Sequence, residues 1–334
     1  MIQQFPQARG RYDAAVVENR LICREHYLLR LRIDPTGPAF APTKPGQFIQ
    51  LGCRPVDADA MDGGGELTWS PDRPPVLGQP ELCHAAALLR RPFSLAGRQD
   101  DEAGTVLDVI HRVVGVGTGY LAELEQGDSV DLIGPLGNHF ELPPEKSLGL
   151  MVGGGVGLPP MFYLAERLRA SGWDGIGFVG AMTRDLLAVT ARDDVRPDPA
   201  GAPRLWAEEF ARHRYPAVIT TDDGSLGLAG RITDGLRLVL NAMDADDRAR
   251  CVVFTCGPEP MMHAVADLAA QRGIDCQVCL EQAMACGMGT CQSCIVRIEE
   301  SDQPHGRLTG GRGWRFRLAC TDGPVFPAPS VIWS

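Results

Sequence analysis

The chain has 334 residues, 44% hydrophobic and 22% charged, with a formal net charge of -10. That composition fits two or three globular domains with ample apolar material for their cores. The acidic balance, without any basic stripe, argues against nucleic acid as a ligand. No apolar run approaches the roughly 18 residues of a membrane span, and the leading MIQQFPQARGRY lacks the apolar segment of a secretory signal, so a soluble cytoplasmic protein is expected. Eleven cysteines, an odd number, fit reduced thiols and metal ligands better than a disulfide scaffold.

In chain order, the first unit is expected over residues 9–144. AAVVENRLI, YLLRLRI, GQFIQLG, TVLDVIHRVV and DSVDLIG are short apolar stretches separated by turn signals such as DPTGP and EQGD. They read as strands of an antiparallel barrel or sandwich. Residues 54–82, rich in Pro, Gly and Asp, interrupt the pattern as a long surface loop; the Cys83-His84 pair after it is a weak metal fragment. From 145 to 274 the pattern changes. SLGLMVGGGVGLPPMFYLAERLRASG reads as strand, glycine turn and helix, with Gly172 placed to end the helix. IGFVGAM, AVITT and CVVFTCG are further strands, and Met261, Val265 and Leu268 mark one face of a second helix. Strands alternating with helices predict a parallel sheet covered on both sides. A cysteine-rich unit follows over 275–334.

The tail carries the sharpest chemistry. Cys286, Cys291 and Cys294, with the remote Cys320, have the C-x4-C-x2-C…C spacing of plant-type [2Fe-2S] ligands. The intervening residues are small or glycine, so the backbone can wrap closely and aim N–H groups at sulfur. Structural zinc and free thiols are the alternatives, although zinc prefers cysteine pairs two to four apart. Cys276 and Cys279 fall three apart on a strand, facing opposite sides, and read as structural.

Gly154, Gly155 and Gly157 lie in GGGVGLPP between a strand and a helix, a candidate phosphate loop with the helix N-terminus supplying donors. In RRPFS, an arginine could grip a phosphate and a hydroxyl three residues on could reach a ring heteroatom. Gly115, Gly117, Thr118 and Gly119 precede LAELEQ, a short helix and a second possible phosphate seat. Asp222 and Asp223 are adjacent carboxylates which, if set near an adenosine ribose, would repel a 2′-phosphate. His111 and His139 read as packing or rim residues.

RRPFS, VGVGTGYL, IGPLGNHF, GGGVGLPP, TTDDGS, CGPEPMM and the cysteine run occur in the order found in the ferredoxin-reductase superfamily. Over roughly residues 11–326 the chain most resembles the electron-transfer subunits of class B dihydroorotate dehydrogenase. The resemblance implies an antiparallel β-barrel FAD domain, an α/β parallel-sheet NAD domain and a small C-terminal [2Fe-2S] domain. It implies that Arg91 contacts the FAD pyrophosphate, that Ser94 lies near the flavin ring, that Pro92 and Phe93 between them also bind the cofactor, and that Gly115, Gly117 and Thr118 form the second FAD phosphate turn. It places Cys256 beside the nicotinamide and Glu281 near the flavin–nicotinamide region, the two candidate catalytic residues.

The implied reaction is electron transfer between NAD(H), FAD and the cluster, with FAD converting two-electron to one-electron transfer. The implied partner is a catalytic flavoprotein subunit in a hetero-oligomer serving pyrimidine biosynthesis. Two alternatives stand beside it: a reductase component for a hydrogenase, glutamate-synthase-like enzyme or oxygenase, and, from another class, a zinc-stabilised nucleotide-binding regulator. The 54–82 insertion and the long stretch between Cys294 and Cys320 depart from the family pattern and bear on the partner.

Overall fold

Alternation of apolar and polar residues gives the first unit strands with one buried face, and these close into a barrel. The computed structural model describes residues 9–54, 89–192, 206–299 and 313–333. Strands β1 (Gly10–Cys23), β2 (His26–Ile33), β3 (Phe48–Leu51), β4 (Arg91–Asp101) and β5 (Gly104–Arg112) lead to helix α1 (Val116–Glu123) and strand β6 (Ser129–Leu136). The six strands close in the order β1-β2-β5-β4-β3-β6, every pair antiparallel. Leu29, Leu31, Ile49, Leu51, Leu107 and Val109 fill the interior without exposure. Each such side chain contributes about 1.5–3 kcal/mol of burial. RRPFS, expected only at a strand-like junction, runs from Arg90 into the first residues of the 11-residue β4. Apart from Arg54, the expected 54–82 insertion and the Cys83-His84 pair lie outside the described residues.

The second unit is parallel. It runs β7 (Leu148–Gly154), α2 (Leu158–Ala170), β8 (Asp174–Ala181), the short β9 (Ala191–Arg192) and β10 (Trp206–Ala207), α3 (Glu208–Ala211), β11 (Ala217–Thr221), β12 (Leu228–Ala229), α4 (Ile232–Ala242), α5 (Ala245–Ala249), β13 (Cys251–Cys256), α6 (Glu259–Gln271) and β14 (Asp275–Cys279). The central strands β7, β11 and β13 are buried at every residue, so their sequences are continuous apolar runs rather than alternating ones. Gly172 takes φ +75° just beyond α2, the left-handed turn that ends a helix.

The last unit is fused to that sheet. β15 (Ile295–Glu299) and β16 (Trp314–Leu318) pair with each other, while β17 (Val325–Pro327) returns as an antiparallel edge on β14. The sheet order is β12-β11-β8-β7-β13-β14-β17. The expected division between 274 and 275 therefore falls inside one continuous sheet, because β14 is its next parallel strand and β17 its edge. Cys294, Val296, Ala319 and Cys320 share a buried cluster with Val278 and Phe326. Among the described residues, no helix is long and apolar enough to cross a membrane.

Candidate active site: two clefts and a cysteine loop

A cleft of about 550 Å³ opens where the end of the barrel meets the C-terminal ends of the parallel strands. Pro92, Phe93 and Ser94 of β4 form one wall, Ile110, His111 and Arg112 of β5 another, and Glu281 to Met284 the far side. That size suits one cofactor, and the mixed apolar and polar lining suits a ring system with a polar tail. Arg91 is not on the wall: its guanidinium donates to the carbonyls of Leu89 at 2.8 Å and of Arg90 at 3.4 Å. Arg90 is paired with Asp131 of β6. Thr118 reaches the cleft from α1. Its hydroxyl accepts from the N–H groups of Val114 (2.9 Å) and Gly115 (3.2 Å), locking the turn before α1. Helix α1 begins at Val116, so Gly117 sits within its first turn and Gly115 caps it. The first-turn N–H groups have no acceptor inside the helix, so they are the donors this turn could offer an anion.

The glycine loop behaves differently from its sequence expectation. Gly155 has φ +55° and lines the cleft with Gly154. Gly157 serves packing: a Cβ there would lie 2.2 Å from the Cys256 carbonyl oxygen. The α2 N-terminus is a poor anion seat, because Pro159 and Pro160 carry no N–H and Leu158 donates its own to Gly155 O. The loop supplies close approach more than donors.

A second cleft of about 460 Å³ shares Arg112, Gly154, Gly155 and Pro258 with the first. It runs along the strand ends past Gly180 and Met182 to Asp222 and Arg231. Asp222 lines it. Asp223 does not; its Oδ1 accepts from the Ser225 N–H (3.0 Å) and hydroxyl (2.6 Å), which closes the DDGS turn. Arg112 marks the junction and is held by Glu25, whose Oε2 accepts from both Nε and Nη2 at 2.9 and 2.7 Å.

At the junction, Cys256 ends β13 in register with Cys279 of β14. Cys256 is fully buried, and its Sγ lies 3.9 Å from Glu281 Oε1. The neighbouring Cys279 thiol, burial and the Glu281 carboxylate all raise the Cys256 thiol well above its usual range. Glu281 is open to solvent through the cleft yet crowded by protein on its other sides, and this desolvation raises its carboxyl. Cys279, read from sequence as structural, lines the first cleft.

The cysteine loop follows directly, since Ala283 and Met284 line the cleft and Cys286 comes two residues later. Gly287 (φ +67°) lies against the Gln50 side chain of β3, and Gly289 (φ +87°) against Thr321. Both demands, left-handed backbone and no Cβ, explain the small residues there. Cys286 Sγ accepts the N–H groups of Met288 and Cys291 at 3.4 Å. The cysteines fall into two pairs: the Cys291 N–H donates to Cys286 Sγ at 3.4 Å, and the Ala319 N–H donates to Cys294 O at 2.9 Å, which sets Cys294 beside Cys320. Gly289 lies against Thr321, which brings the loop carrying the first pair onto the segment carrying Cys320. Cys291 is exposed while Cys294 and Cys320 are 1% exposed. Among the described residues, no three His, Cys, Asp or Glu side chains converge as they would on a single ion. Two adjacent thiol pairs on a wrapping loop fit a two-iron cluster, with two cysteines to each iron, better than one tetrahedral zinc.

Sequence reading missed Arg112, Cys279 and Arg231. Arg112 stands at a strand end immediately before VVGVG, and Arg231 just before a helix; cations at such junctions were the available signal. Cys279 carried none, because only the register of β14 on β13 brings it to the cleft.

A family model described as the iron-sulfur cluster binding domain of dihydroorotate dehydrogenase B matches residues 281–332. The chain is 35% identical over 250 residues to the dihydroorotate dehydrogenase B (NAD(+)), electron transfer subunit of Geobacillus kaustophilus (strain HTA426), spanning 74% of this chain and 82% of that one. The subunit of the same description from Caldanaerobacter subterraneus subsp. tengcongensis is 29% identical over 326 residues, spanning 97% and 100%. Among solved structures, an NADH-dependent reduced ferredoxin-NADP oxidoreductase superimposes with TM-score 0.67 at 24% identity, covering 96% of this chain and 90% of the other. That last likeness is one of fold.

Proposed function

The chain belongs to the family of dihydroorotate dehydrogenase B electron transfer subunits, and on that premise we propose that it passes electrons between NAD(H), FAD and a [2Fe-2S] cluster for a catalytic dihydroorotate dehydrogenase subunit. The observation that carries this reading is contiguity: two clefts share Arg112, Gly154, Gly155 and Pro258, and the wall of the first runs within two residues into Cys286. FAD, when bound, supplies the conversion between hydride and single-electron transfer.

The residues then divide the work. Phe93, Pro92 and Ser94 hold the flavin side of the first cleft, and the α1 N-terminus with Gly115, Gly117 and Thr118 receives its phosphates. Arg91 donates to the carbonyls of Leu89 and Arg90 and would exchange them for a phosphate. Gly154 and Gly155 let the nicotinamide nucleotide approach, and Gly157 sets the spacing of α2 to β13. Cys256 and Glu281, close together and both favouring their protonated forms, keep uncompensated charge away from the place where hydride passes. Cys286, Cys291, Cys294 and Cys320 hold the cluster, with Cys291 on the exposed side. The partner is a catalytic flavoprotein subunit in a hetero-oligomer, and the setting is cytoplasmic.

An absorption spectrum of anaerobically purified protein, with iron and flavin assays, tests the cofactors. Flavin bands and an iron–sulfur shoulder that bleach with NADH are expected. Cys291→Ser should remove the iron while FAD content stays; unchanged iron would break the ligand assignment. A co-purifying partner without dihydroorotate-oxidising activity would refute the choice of partner.

A further inference from the structure

The second cleft carries charge at its distal end that the expected NADH preference does not explain. Asp222 follows β11, and Arg231 follows β12. The residues before them, Thr221 and Gly230, are joined by a hydrogen bond from Gly230 N–H to Thr221 O of 3.0 Å. Asp222 and Arg231 therefore lie side by side on one cleft wall. No ion pair joins them. Among the described residues, the Arg231 guanidinium has no hydrogen-bond or ion-pair partner; only its backbone N–H is engaged, with Asp234 Oδ2 at 2.9 Å. The nearby carboxylates are occupied, Asp234 by Arg237 and Asp223 by Ser225.

Position along the cleft says which group of a ligand Arg231 meets. The sheet order β11-β8-β7 puts Asp222 and Arg231 two strand spacings from the glycine loop at the end of β7, about 10 Å away. A pyrophosphate at Gly154 and Gly155 lies beside Arg112, the other cation of the cleft. With the α2 N-terminus short of donors, anion recognition at each end falls to an arginine, and the far end receives the adenosine ribose.

Resting on the dinucleotide reading of this cleft, we infer that Arg231 is a specificity-determining residue that accepts a ribose 2′-phosphate, so that the chain uses NADPH as well as NADH. A carboxylate at this place hydrogen-bonds the 2′-hydroxyl, whereas an adjacent arginine accommodates the 2′-phosphate. Here both are present. Asp222 alone would exclude NADPH, and Arg231 offsets it.

The test is calorimetric titration of the FAD-loaded chain with 2′,5′-ADP and 5′-AMP, two probes that differ only in the 2′-phosphate. The unmodified chain is expected to bind 2′,5′-ADP at least as tightly as 5′-AMP. Arg231→Ala should weaken 2′,5′-ADP about tenfold or more and 5′-AMP less than about threefold, as loss of one charge-assisted hydrogen bond predicts. Asp222→Asn should tighten 2′,5′-ADP. Arg231 is exposed, so a folded variant is expected. The inference is overturned if 5′-AMP binds about tenfold tighter than 2′,5′-ADP in the unmodified chain, a gap of about 1.4 kcal/mol, or if Arg231→Ala weakens both probes alike, which would assign it to the shared 5′ side. Flavin bleaching by NADH separates the two levels: bleaching without the 2′-phosphate preference sinks only this inference, while no bleaching by either nucleotide sinks the reading of the cleft as well.

Discussion

Asn138 holds Val325 by both ends of its carboxamide: Oδ1 accepts from the Val325 N–H at 2.8 Å, and Nδ2 donates to Val325 O at 2.8 Å. Nδ2 also donates to Asp322 O at 3.0 Å. One side chain in the loop after the barrel's last strand thus clamps the segment that follows Cys320, joining first and last units across 187 positions.

Asn138→Ala removes all three bonds and leaves the N–H of the largely buried Val325 without its partner. At about 1 kcal/mol net for each bond, the loss should be roughly 2–3 kcal/mol. The expected readout is a lower urea midpoint and faster loss of iron on dilution. Asn138→Asp should do worse than alanine, since it sets a carboxylate against two carbonyl oxygens. A change below about 0.5 kcal/mol for both variants would show that the clamp does not secure the lobe.

Gly157 is fixed by space rather than by torsion. A methyl group would sit 2.2 Å from Cys256 O and 2.5 Å from Gly257 N, both backbone atoms that cannot swing away. Gly157→Ala should therefore push α2 off β13, cost about 3 kcal/mol or more, and abolish nicotinamide-nucleotide binding while the barrel keeps its flavin. Gly172→Ala, at an open site with φ +75°, serves as the comparison and should cost only about 1 kcal/mol. Equal melting temperatures for the two variants would contradict this account.

His111 is 1% exposed, stacked on Tyr27 and edge-on to Phe93, with neither ring nitrogen partnered among the described residues. Burial first, then the charge of His26, pushes its pKa down to about 4 from 6.5. The unfolded chain therefore binds a proton that the folded chain refuses between those values. Stability from this residue is complete above about pH 6.5 and is lost as the pH falls towards 4, by about 3 kcal/mol in total. His111→Phe keeps the ring packing and should flatten the stability profile across that window, with little change or a gain at pH 7. Urea unfolding at pH 5 and 7 measures the difference; an unchanged slope would place the acid sensitivity elsewhere.

The strands of the barrel, the glycine turn after β7 and the four cysteines were legible because each is a local pattern: alternation, continuous apolar runs, or fixed spacing. β4 was less legible, since the RRPFS segment follows a long interruption and shows little alternation. At GGGVGLPP the pattern rewards glycine, while Pro159 and Pro160 carry no N–H to offer an anion. Asp222 and Asp223 look alike in sequence, yet one faces the cleft and the other closes a turn, a choice set by local hydrogen bonding to Ser225.

Periodicity and spacing by themselves determined an antiparallel first unit, a parallel α/β second unit, their order and the set of metal-ligand candidates, because these depend on neighbours within a few residues. Only the tertiary structure decided that Cys279 meets Cys256, that Arg112 and Arg231 flank opposite ends of one cleft, and that Asn138 fastens the cysteine lobe. Those contacts join residues far apart in the chain, and it is strand register and packing, which no local pattern encodes, that bring them together.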